Sequence, residues 1–354
     1  MYMNFQEFKA AYMQEVEKKN VKRIHHPENE KIVILKYTER CRFGRKWNRV
    51  NMACRNLVVN EQTEEIVARG FTKFFSQREN RKFSTEYLDE NYPYHKIEVT
   101  EKYDGIEALS YILNGELRFA SDCSFISVPA KIANQIWNEK YKQVEHLVPE
   151  NTTLVVEVIH PDVKVVTSYD FEDLILVGAV HTVTQHDYNY EELKELANTL
   201  GMKIPDKYEF TFEEAVSVAE NSEYNFEGFV IRYGNDERIK VKNPKHVHVF
   251  KCIRVMERTH ILKAWVNGEL DGIIDSLPDE YKQSFMDYRD EFEEKKEAIL
   301  QNVKATFEKA PKSTQKEFAC WVIENVKEEF TGLMFALQKD KLSEQILRIA
   351  VSKQ

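Results

Sequence analysis

The sequence contains no long hydrophobic run, and this absence argues against an integral membrane protein. Its longest apolar stretch runs only from Leu174 to Val180, whereas a membrane-spanning helix needs about 20 apolar residues. Charged residues are spread from the N-terminus to Asn20, which predicts an amphipathic helix there and not a secretory signal peptide. We therefore expect a soluble, cytoplasmic protein.

Cysteine, proline and glycine are also scarce. The cysteine count is odd and no Cys-x-x-Cys pair is present, a pattern that favours a reducing compartment over a disulfide framework. The five cysteines are Cys41, Cys54, Cys123, Cys252 and Cys320. With only 9 prolines and 11 glycines, and with 42% apolar and 12% aromatic residues, the 354-residue chain predicts a folded protein with a sizeable core.

Basic residues are outnumbered, since the net charge is -9, and a broadly basic nucleic-acid surface is therefore not expected. A local exception occurs between residues 40 and 49, where basic side chains are interleaved with Phe43 and Trp47. The basic residues of this stretch are Arg40, Arg42, Arg45, Lys46 and Arg49. The stretch is either a solvated loop with two anchoring aromatics or a phosphate-contacting surface. We favour the solvated loop for most of these side chains.

Several enzyme motifs are missing as well. No Walker loop, Gly-x-Gly-x-x-Gly fingerprint or Ser/His/Asp pattern occurs. His246 and His248 have the spacing of a metal pair on a strand, but no third ligand is evident and the downstream sequence is helical. We therefore do not include them in a predicted metal site.

The first 250 residues are rich in strand patterns. The strongest is a hairpin of 107–113 and 116–121, which Asn114-Gly115 joins. Further strands are predicted at 32–37, 55–60, 65–69, 97–103, 153–159, 174–180, 227–233 and 238–242. Helices are predicted at 4–19, 129–141, 190–200 and 211–220. A capping box of Thr211 and Glu214 opens the last of these helices.

The pattern changes near residue 250. Residues 246–354 have almost no strand pattern and contain charged, helix-periodic runs at 287–309, 313–337 and 343–351. Residues 253–354 carry 16 basic and 19 acidic residues, a net charge of -3, so this part is not broadly basic either. We predict an α+β protein of two domains, 1–250 and an all-helical 251–354.

One lysine, two carboxylates and further cations form the pattern that carries chemistry. Lys102 ends a predicted strand, Glu157 lies within another, and Glu227 opens a third. Lys240 and Lys242 alternate along one strand, so their side chains point to the same face. Taken alone, these two lysines also fit a solvent-exposed strand.

Together these residues predict a lysine nucleophile in a phosphate-binding pocket. An amine attacks only when it is neutral, and an ordinary lysine is charged at neutral pH. We expect Lys240 and Lys242 to lower the pKa of Lys102 while they hold a triphosphate. Glu157 and Glu227 would hold a divalent ion, and Gly105 and Gly228 would let the backbone approach a ligand closely.

In chain order, five stretches resemble motifs I, III, IIIa, IV and V of the covalent nucleotidyltransferases, which comprise DNA ligases, RNA ligases and mRNA capping enzymes. They are Lys102-Tyr103-Asp104-Gly105, the Glu157 strand, the 174–180 strand, Glu227-Gly228-Phe229-Val230 and Lys240-Val241-Lys242. Within that superfamily the chain most closely resembles the phage-type RNA ligase 1 family. Cys54-Arg55 is similar to the family's Cys-Arg-Gly element, and 68–75 is similar to its Arg-Pro-x-x-Lys-Phe-Phe element.

The resemblance implies an antiparallel-sheet nucleotidyltransferase domain of the ATP-grasp-like ligase type, followed by a helical domain that selects RNA. It implies an ATP-dependent RNA ligase that uses Mg²⁺ or Mn²⁺ and joins RNA 3′-hydroxyl and 5′-phosphate ends, with tRNA as a plausible substrate and RNA repair as the role. A monomer is expected, in the host-cell cytoplasm if a phage or virus encodes it.

Residue roles follow from the same resemblance. Lys102 would carry AMP covalently, Asp104 and Gly105 would complete its motif, and Glu227 would help to bind metal. The nucleotide would be contacted by Arg55, Lys73, Phe75, Glu101, Lys102, Glu157, Val230, Lys240 and Lys242, with Lys240 and Lys242 also counted as catalytic.

Some positions depart from the family pattern. Asn56 replaces the family's glycine after Arg55, and Ala120 and Asp122 replace two family lysines, whose contacts the basic stretch at 40–49 could supply. A DNA ligase or a capping guanylyltransferase remains an alternative, although either normally carries a strand-rich OB domain. A third alternative is an RNA-binding protein with a vestigial nucleotide site, but the complete set of lysines and glutamates argues against it.

Overall fold

The computed structural model describes residues 4–77, 79, 90, 97–121, 123–234, 236–254 and 257–353. The chain forms two compact units, Met1–Val247 and His248–Gln354. None of the helices in the described ranges has both the length and the apolar content needed to cross a membrane. Asp122 and Asn235 lie outside the described residues.

Three sheets build the first unit. The first has the strand order β1-β2-β3-β4, the second β10-β9-β7-β8 and the third β11-β6-β12-β13-β5. Neighbouring strands are antiparallel except β13 and β5, which are parallel. The strands are β1 Val21–His25, β2 Ile32–Tyr37, β3 Arg55–Asn60, β4 Glu65–Ala68, β5 Phe75–Ser76, β6 Glu98–Glu101, β7 Ile106–Leu113, β8 Glu116–Ser121, β9 Thr152–Ile159, β10 Asp173–His181, β11 Lys207–Tyr208, β12 Gly228–Arg232 and β13 Arg238–Lys242.

The predicted Asn114-Gly115 hairpin is confirmed. Asn114 has φ +53° and Gly115 has φ +82°, the left-handed backbone that a two-residue turn between twisted strands requires. The turn pairs Leu113 with Glu116 and sets the register of β7 and β8. All eight other predicted strands are confirmed within a few residues, whereas β1, β5 and β11 were not predicted.

Helices cover the second sheet on one face. Ile132 and Trp137 from one segment, and Leu193 and Leu196 from another, pack onto the valines and leucines of β9 and β10. The helices of this unit are Phe5–Glu17, Glu39–Phe43, Arg49–Ala53, Val128–Ile136, a π-helical turn Trp137–Tyr141, Tyr190–Leu200 and Phe212–Asn221. The predicted capping box is present, because Thr211 and Glu214 cap each other's backbone N–H groups.

The other face of the second sheet packs against the first sheet. Ala120 on β8 lies in this core with Val58, Tyr111 and Phe125, and it is 3% exposed. A lysine at position 120 would therefore bury its charge among apolar side chains, which is costly. Alanine, being small and apolar, suits this packed position.

The described residues of the second unit form helices and no strands. Its core contains Trp265, Phe285 and Phe292, all almost fully buried. The helices are Pro244–Arg254, which spans the division between the units, Arg258–Asn267, Leu270–Ser276, Asp279–Lys309, Gln315–Asn325, Glu328–Gln338 and Glu344–Val351. The helix-periodic run predicted at 313–337 is helical but divided, since one helix ends at Asn325 and the next starts at Glu328.

Candidate active site around Lys102

Lys102 directly follows β6, at the edge where the second and third sheets meet. Its backbone N–H donates to the carbonyl of Gly228 (2.9 Å), which continues the pairing of β6 with β12. The Nζ donates to Glu227 Oε2 (2.7 Å) and to the carbonyl of Tyr103 (3.3 Å). The lysine is thus held at both ends, in a largely buried position.

Glu227 connects two of the predicted lysines. Its Oε2 accepts from Lys102 and its Oε1 accepts from Lys242 Nζ (2.8 Å). The Asn243 N–H donates to the Glu227 carbonyl (2.9 Å), so the end of β13 fixes the backbone that carries this carboxylate. Burial would raise the pKa of Glu227, but the two lysines hold it below its ordinary value.

The pKa of Lys102 departs from our expectation. Burial would lower it, but the carboxylates of Glu227 and Glu157 outweigh burial and raise it above its ordinary value. The prediction that Lys240 and Lys242 lower this pKa was therefore wrong. Sequence spacing identified the charged groups but could not give the 2.7 Å contact to Glu227 that decides the sign.

Glu157 faces Glu107 across a strand pair. The register places Glu107 of β7 directly opposite Glu157 of β9, and the Arg55 guanidinium lies 2.7 Å from Glu107. Burial, with the nearby charge of Glu107, raises the pKa of Glu157 to about 7 despite the opposing effect of Lys102. Glu107 was not predicted as a site residue.

Asp104 ties the lysine loop to distant parts of the chain. Its Oδ2 accepts from the backbone N–H groups of Val166 (2.8 Å) and Thr167 (2.6 Å), and its own N–H donates to the Tyr169 hydroxyl (3.0 Å). His246 Nε2 lies 3.1 Å from the same Oδ2. Burial would raise the pKa of Asp104, but His246 and the backbone donors hold it below its ordinary value.

Gly105 follows at a point where no side chain fits. A Cβ built on it would lie 2.5 Å from the carbonyl oxygen of Val158, closer than non-bonded atoms approach. The lysine loop can therefore pass against β9, which carries Glu157. This close approach to a strand explains the glycine, whereas the sequence had suggested close approach to a ligand.

Three further cations gather on two phenylalanine rings. Lys240 Nζ lies 4.4 Å from the centre of the Phe74 ring, with the Arg55 guanidinium 5.2 Å from the same ring. Lys73 Nζ lies 4.3 Å from the Phe75 ring and donates to the Phe74 carbonyl (2.7 Å). Phe74 belongs to a buried apolar cluster, and its ring also supports these cations.

The cations of this group oppose one another. Burial, and then the charges of Arg55, Lys102, Lys73 and Lys242, lower the pKa of Lys240 well below its ordinary value. Burial, assisted by Arg55 and Arg42 and opposed by Glu79, lowers the pKa of Lys73 to about 8. Within the described residues, Lys240 has no carboxylate at ion-pair distance. Such a group fits a polyanion, which would relieve the repulsion.

A cavity of about 140 Å³ opens beside Lys102. Of the predicted site residues it is lined by Arg55, Glu101, Lys102, Glu157, Val230 and Lys240, and Phe71, Phe74 and Glu107 also line it. Lys73, Phe75, Asp104, Gly105, Glu227 and Lys242 do not line this cavity. Among them, Glu227 contacts the lining residue Lys102 and also Lys242, and Lys73 contacts the lining residue Phe74.

His246 and His248 do not form a pair. Both lie on the helix Pro244–Arg254, where residues two apart point to different sides. His248 Nε2 lies 2.8 Å from Ser276 Oγ, while His246 faces Asp104. The spacing of a strand was therefore the wrong basis for interpreting these two histidines. No sequence pattern indicated that His246 lies beside Asp104.

One group of side chains could hold a metal. Among the described residues, ligand atoms of Asp104, Glu227 and His246 lie within 4.8 Å of one another, and all three residues are buried. The oxygens suit a hard divalent ion and the imidazole suits a transition metal. Both oxygens of Glu227 already accept from lysines, so a cation bound there would compete with Lys102 or Lys242.

Comparison with known proteins identifies the family of the chain. A family model described as RNA ligase matches residues 53–252, which include every predicted site residue. The chain belongs to this phage-type RNA ligase family. The predicted family is thereby confirmed, whereas the individual residue roles stay predictions.

Two curated proteins are similar to this RNA ligase family member. One from Thermovibrio ammonificans, described provisionally as an RNA ligase, is 26% identical over 230 residues, which are 62% of this chain and 59% of that protein. One from Autographa californica nuclear polyhedrosis virus, described provisionally as a bifunctional polynucleotide kinase/RNA ligase, is 26% identical over 254 residues, 65% of this chain and 35% of that protein. The chain thus spans less than two thirds of either relative.

A solved structure of an archaeal ATP-dependent RNA ligase is similar in fold. It aligns with a TM-score of 0.51 at 13% identity, over 81% of this chain and 77% of that chain. At this identity the likeness concerns the fold alone. Together with the antiparallel sheets and the helical second unit, it confirms the predicted α+β fold class.

Proposed function

We propose that the protein is an ATP-dependent RNA ligase that joins RNA 3′-hydroxyl and 5′-phosphate ends. The observation that carries the proposal is Lys102, which lies beside a cavity together with a carboxylate partner and a group of mutually repelling cations. Membership of the RNA ligase family supports it. Repair of broken RNA, with tRNA as one plausible substrate, is the proposed role.

In the first step Lys102 Nζ would attack the α-phosphorus of ATP. A bond forms between nitrogen and phosphorus, the bond to the β-phosphate oxygen breaks, and pyrophosphate leaves with its electron pair. Nζ must first lose a proton, and Glu227, whose Oε2 accepts from Nζ at 2.7 Å, is the nearest carboxylate to take it up. Lys240, Arg55 and Lys73 would bind the phosphates and stabilise their charge.

A divalent cation fits this pocket as an added Lewis acid, with Glu227 as its proposed ligand. When bound, it would supply positive charge at the α-phosphate. A cation bound to the Glu227 oxygens would also weaken the ion pair between Glu227 and the Lys102 ammonium, because it would offset the negative charge that stabilises this ammonium. Mg²⁺ and Mn²⁺ are both candidates.

Two further transfers would complete the reaction. An oxygen of the RNA 5′-phosphate would attack the phosphorus of the lysyl-AMP, the P–N bond would break, and the Lys102 amine would leave with a proton taken up on nitrogen. The RNA 3′-hydroxyl would then lose its proton and attack the phosphorus of the adenylylated 5′-phosphate, and the P–O bond to AMP would break and release AMP. We assign the nucleotide chemistry to residues 1–250 and RNA selection to the helical residues 251–354.

The test is transfer of label from α-labelled ATP to protein in the presence of Mg²⁺, followed on a denaturing gel. We expect a labelled band that disappears in Lys102→Ala. The control is Lys140→Ala, a lysine that lies outside the pocket. A labelled Lys102→Ala band, or no label in the unchanged protein, would overturn the proposal.

Two rival activities are separated by the nucleotide and the polynucleotide used. Labelling only with GTP would indicate capping chemistry, and sealing only of DNA ends would indicate a DNA ligase. Both rivals normally carry an OB domain, and the described part of the second unit has no strand from which to build one. We therefore expect circularisation of a 5′-phosphorylated RNA and not of its DNA counterpart.

A further inference from the structure

The segment from Glu39 to Arg49 presents a concentrated positive charge. The side chains of Arg40, Arg42, Arg45, Lys46 and Arg49 are all exposed. Its one acidic residue, Glu39, lies 3.6 Å from Arg42. In the part of the chain that the structure describes, the other four cations make no ion pair. We call this segment the basic segment.

The basic segment also exposes an aromatic ring. Phe43 is 77% exposed, the highest value among the large apolar side chains described, and the Arg42 guanidinium lies 5.6 Å from its ring centre. A single exposed apolar side chain needs no explanation by itself. A phenylalanine ring with cations on either side in sequence has the composition of a surface that stacks a base between phosphate contacts.

Contacts join the basic segment to the cavity beside Lys102. The Trp47 ring packs edge-on against Tyr37 (5.0 Å) and Phe75 (5.4 Å), and Lys73 Nζ lies 5.8 Å from the Trp47 ring. The Lys73 N–H donates to the Met52 carbonyl (2.8 Å). The basic segment therefore continues the cation group of the nucleotide pocket towards the surface, and Arg42 acts electrostatically on Lys73 itself.

We propose that the basic segment binds the single-stranded end of the RNA substrate, with phosphates on its arginines and a base stacked on Phe43. This inference rests on the proposed ligase function and assigns the surface that delivers the RNA end to Lys102. It replaces the interpretation of the segment as a merely solvated loop. The chain as a whole is acidic, so this local charge is a specific attraction for a polyanion.

The test uses Phe43→Ala, Phe43→Trp and the double variant Arg40→Gln/Lys46→Gln. Binding of a 5′-phosphorylated, fluorescein-labelled RNA 12-mer is measured by anisotropy without ATP, across a salt series. We expect Phe43→Ala to weaken binding about ten-fold and Phe43→Trp to restore it. We expect the double variant to reduce the slope of log K against log salt by ~1.4, since each lost phosphate contact removes about 0.7.

The matched controls are Lys131→Gln/Lys194→Gln, which removes the same charge from exposed positions elsewhere, and Val183→Ala, which truncates another exposed apolar side chain. Both should bind and seal RNA like the unchanged protein. Labelling of Lys102 by ATP should stay unchanged in every variant, because none of these positions lines the cavity.

Three outcomes would overturn the assignment. They are normal RNA binding by Phe43→Ala and the double variant, equal weakening by the controls, or labelling of Lys102 by a protein that binds no RNA. Labelling without RNA binding would contradict the assignment of the basic segment but not the proposed ligase function. RNA binding without labelling would contradict the proposed ligase function but not the assignment of the basic segment.

Discussion

The protonation of the Lys102 side chain depends on two nearby carboxylates. Glu227 holds its ammonium at 2.7 Å, and Glu157 adds a second negative charge. The sequence placed these residues on neighbouring strands, and membership of a known family made their gathering expected. The sequence alone does not show whether cations or carboxylates lie nearer to Lys102 Nζ. Because a carboxylate is the nearer group, the pKa of Lys102 is raised and not lowered as predicted.

Glu157 gives a prediction about pH and stability. Its folded-state pKa of about 7 lies above the ordinary value of 4.5, so its contribution to stability is complete at low pH and is lost as pH rises through 7. Glu157→Gln should therefore raise the free energy of unfolding by about 2 kcal/mol at pH 8 and change it little at pH 4.5. Urea unfolding at the two pH values measures this.

The exposed substitution Glu195→Gln is the control, and it should change stability little at either pH. An equal effect of Glu157→Gln at both pH values would contradict the assignment of a charge penalty to this position. Labelling of Lys102 by ATP should fall in Glu157→Gln but not in the control, because only Glu157 lines the cavity.

Elements that local patterns specify were predictable, and those that tertiary contacts specify were not. The Asn114-Gly115 turn requires left-handed backbone, so its hairpin could be identified from two residues. β5 and β11 have only two residues each, too few for any alternation. The break between Asn325 and Glu328 carries no glycine or proline, so helical periodicity continued across it in the sequence.

The β12–β13 pair depends on Gly228. This residue has φ +133°, a backbone region that other residues essentially do not adopt, and an added Cβ would lie 2.1 Å from the Val241 carbonyl oxygen. Gly228→Ala should therefore separate the strand ends, move Glu227 away from Lys242 and lower stability by about 3 kcal/mol or more. Labelling by ATP should be lost.

Gly115→Ala provides the comparison, measured by urea unfolding and by the same labelling assay. Gly115 also has positive φ, but no atom lies within 4 Å of its added Cβ, so only backbone strain of about 1 kcal/mol is expected. If Gly228→Ala is labelled by ATP as fully as the unchanged protein, the close approach of β12 to β13 is not needed to position Glu227.

At the scale of the whole molecule, each unit has a core of its own. Residues Met1–Val247 carry the predicted nucleotide site, and the core of the second unit is built from helices alone. The existence of a helical C-terminal part could be predicted from its uninterrupted charged periodicity. What this part binds could not be predicted, because mixed charges on helices specify no particular ligand.

A shortened chain that ends at Arg254 tests the proposal that the first unit carries the nucleotide chemistry and the helical part selects RNA. Residues 4–254 should still form the labelled Lys102 band with ATP, since the described residues around Lys102 all precede position 247. Sealing of RNA by the shortened chain should fall relative to the full chain, measured as circularised product per unit of labelled enzyme. Equal sealing of RNA by the shortened and full chains would argue against RNA selection by the helical part. As a control, Lys102→Ala should abolish sealing in both chains.

The sharing of Glu227 between two lysines has a consequence for chemical selectivity. A cell contains acyl phosphates, thioesters and other electrophiles that modify neutral amines, and a permanently neutral Lys102 would be acylated and lost. Because Glu227 accepts from Nζ at 2.7 Å and raises the pKa of the lysine, the ion pair would mask the amine against these reagents. In the proposed reaction a ligand that competes for Glu227 would free the amine, so the contact that delays the proposed first step would also protect the residue proposed to perform it.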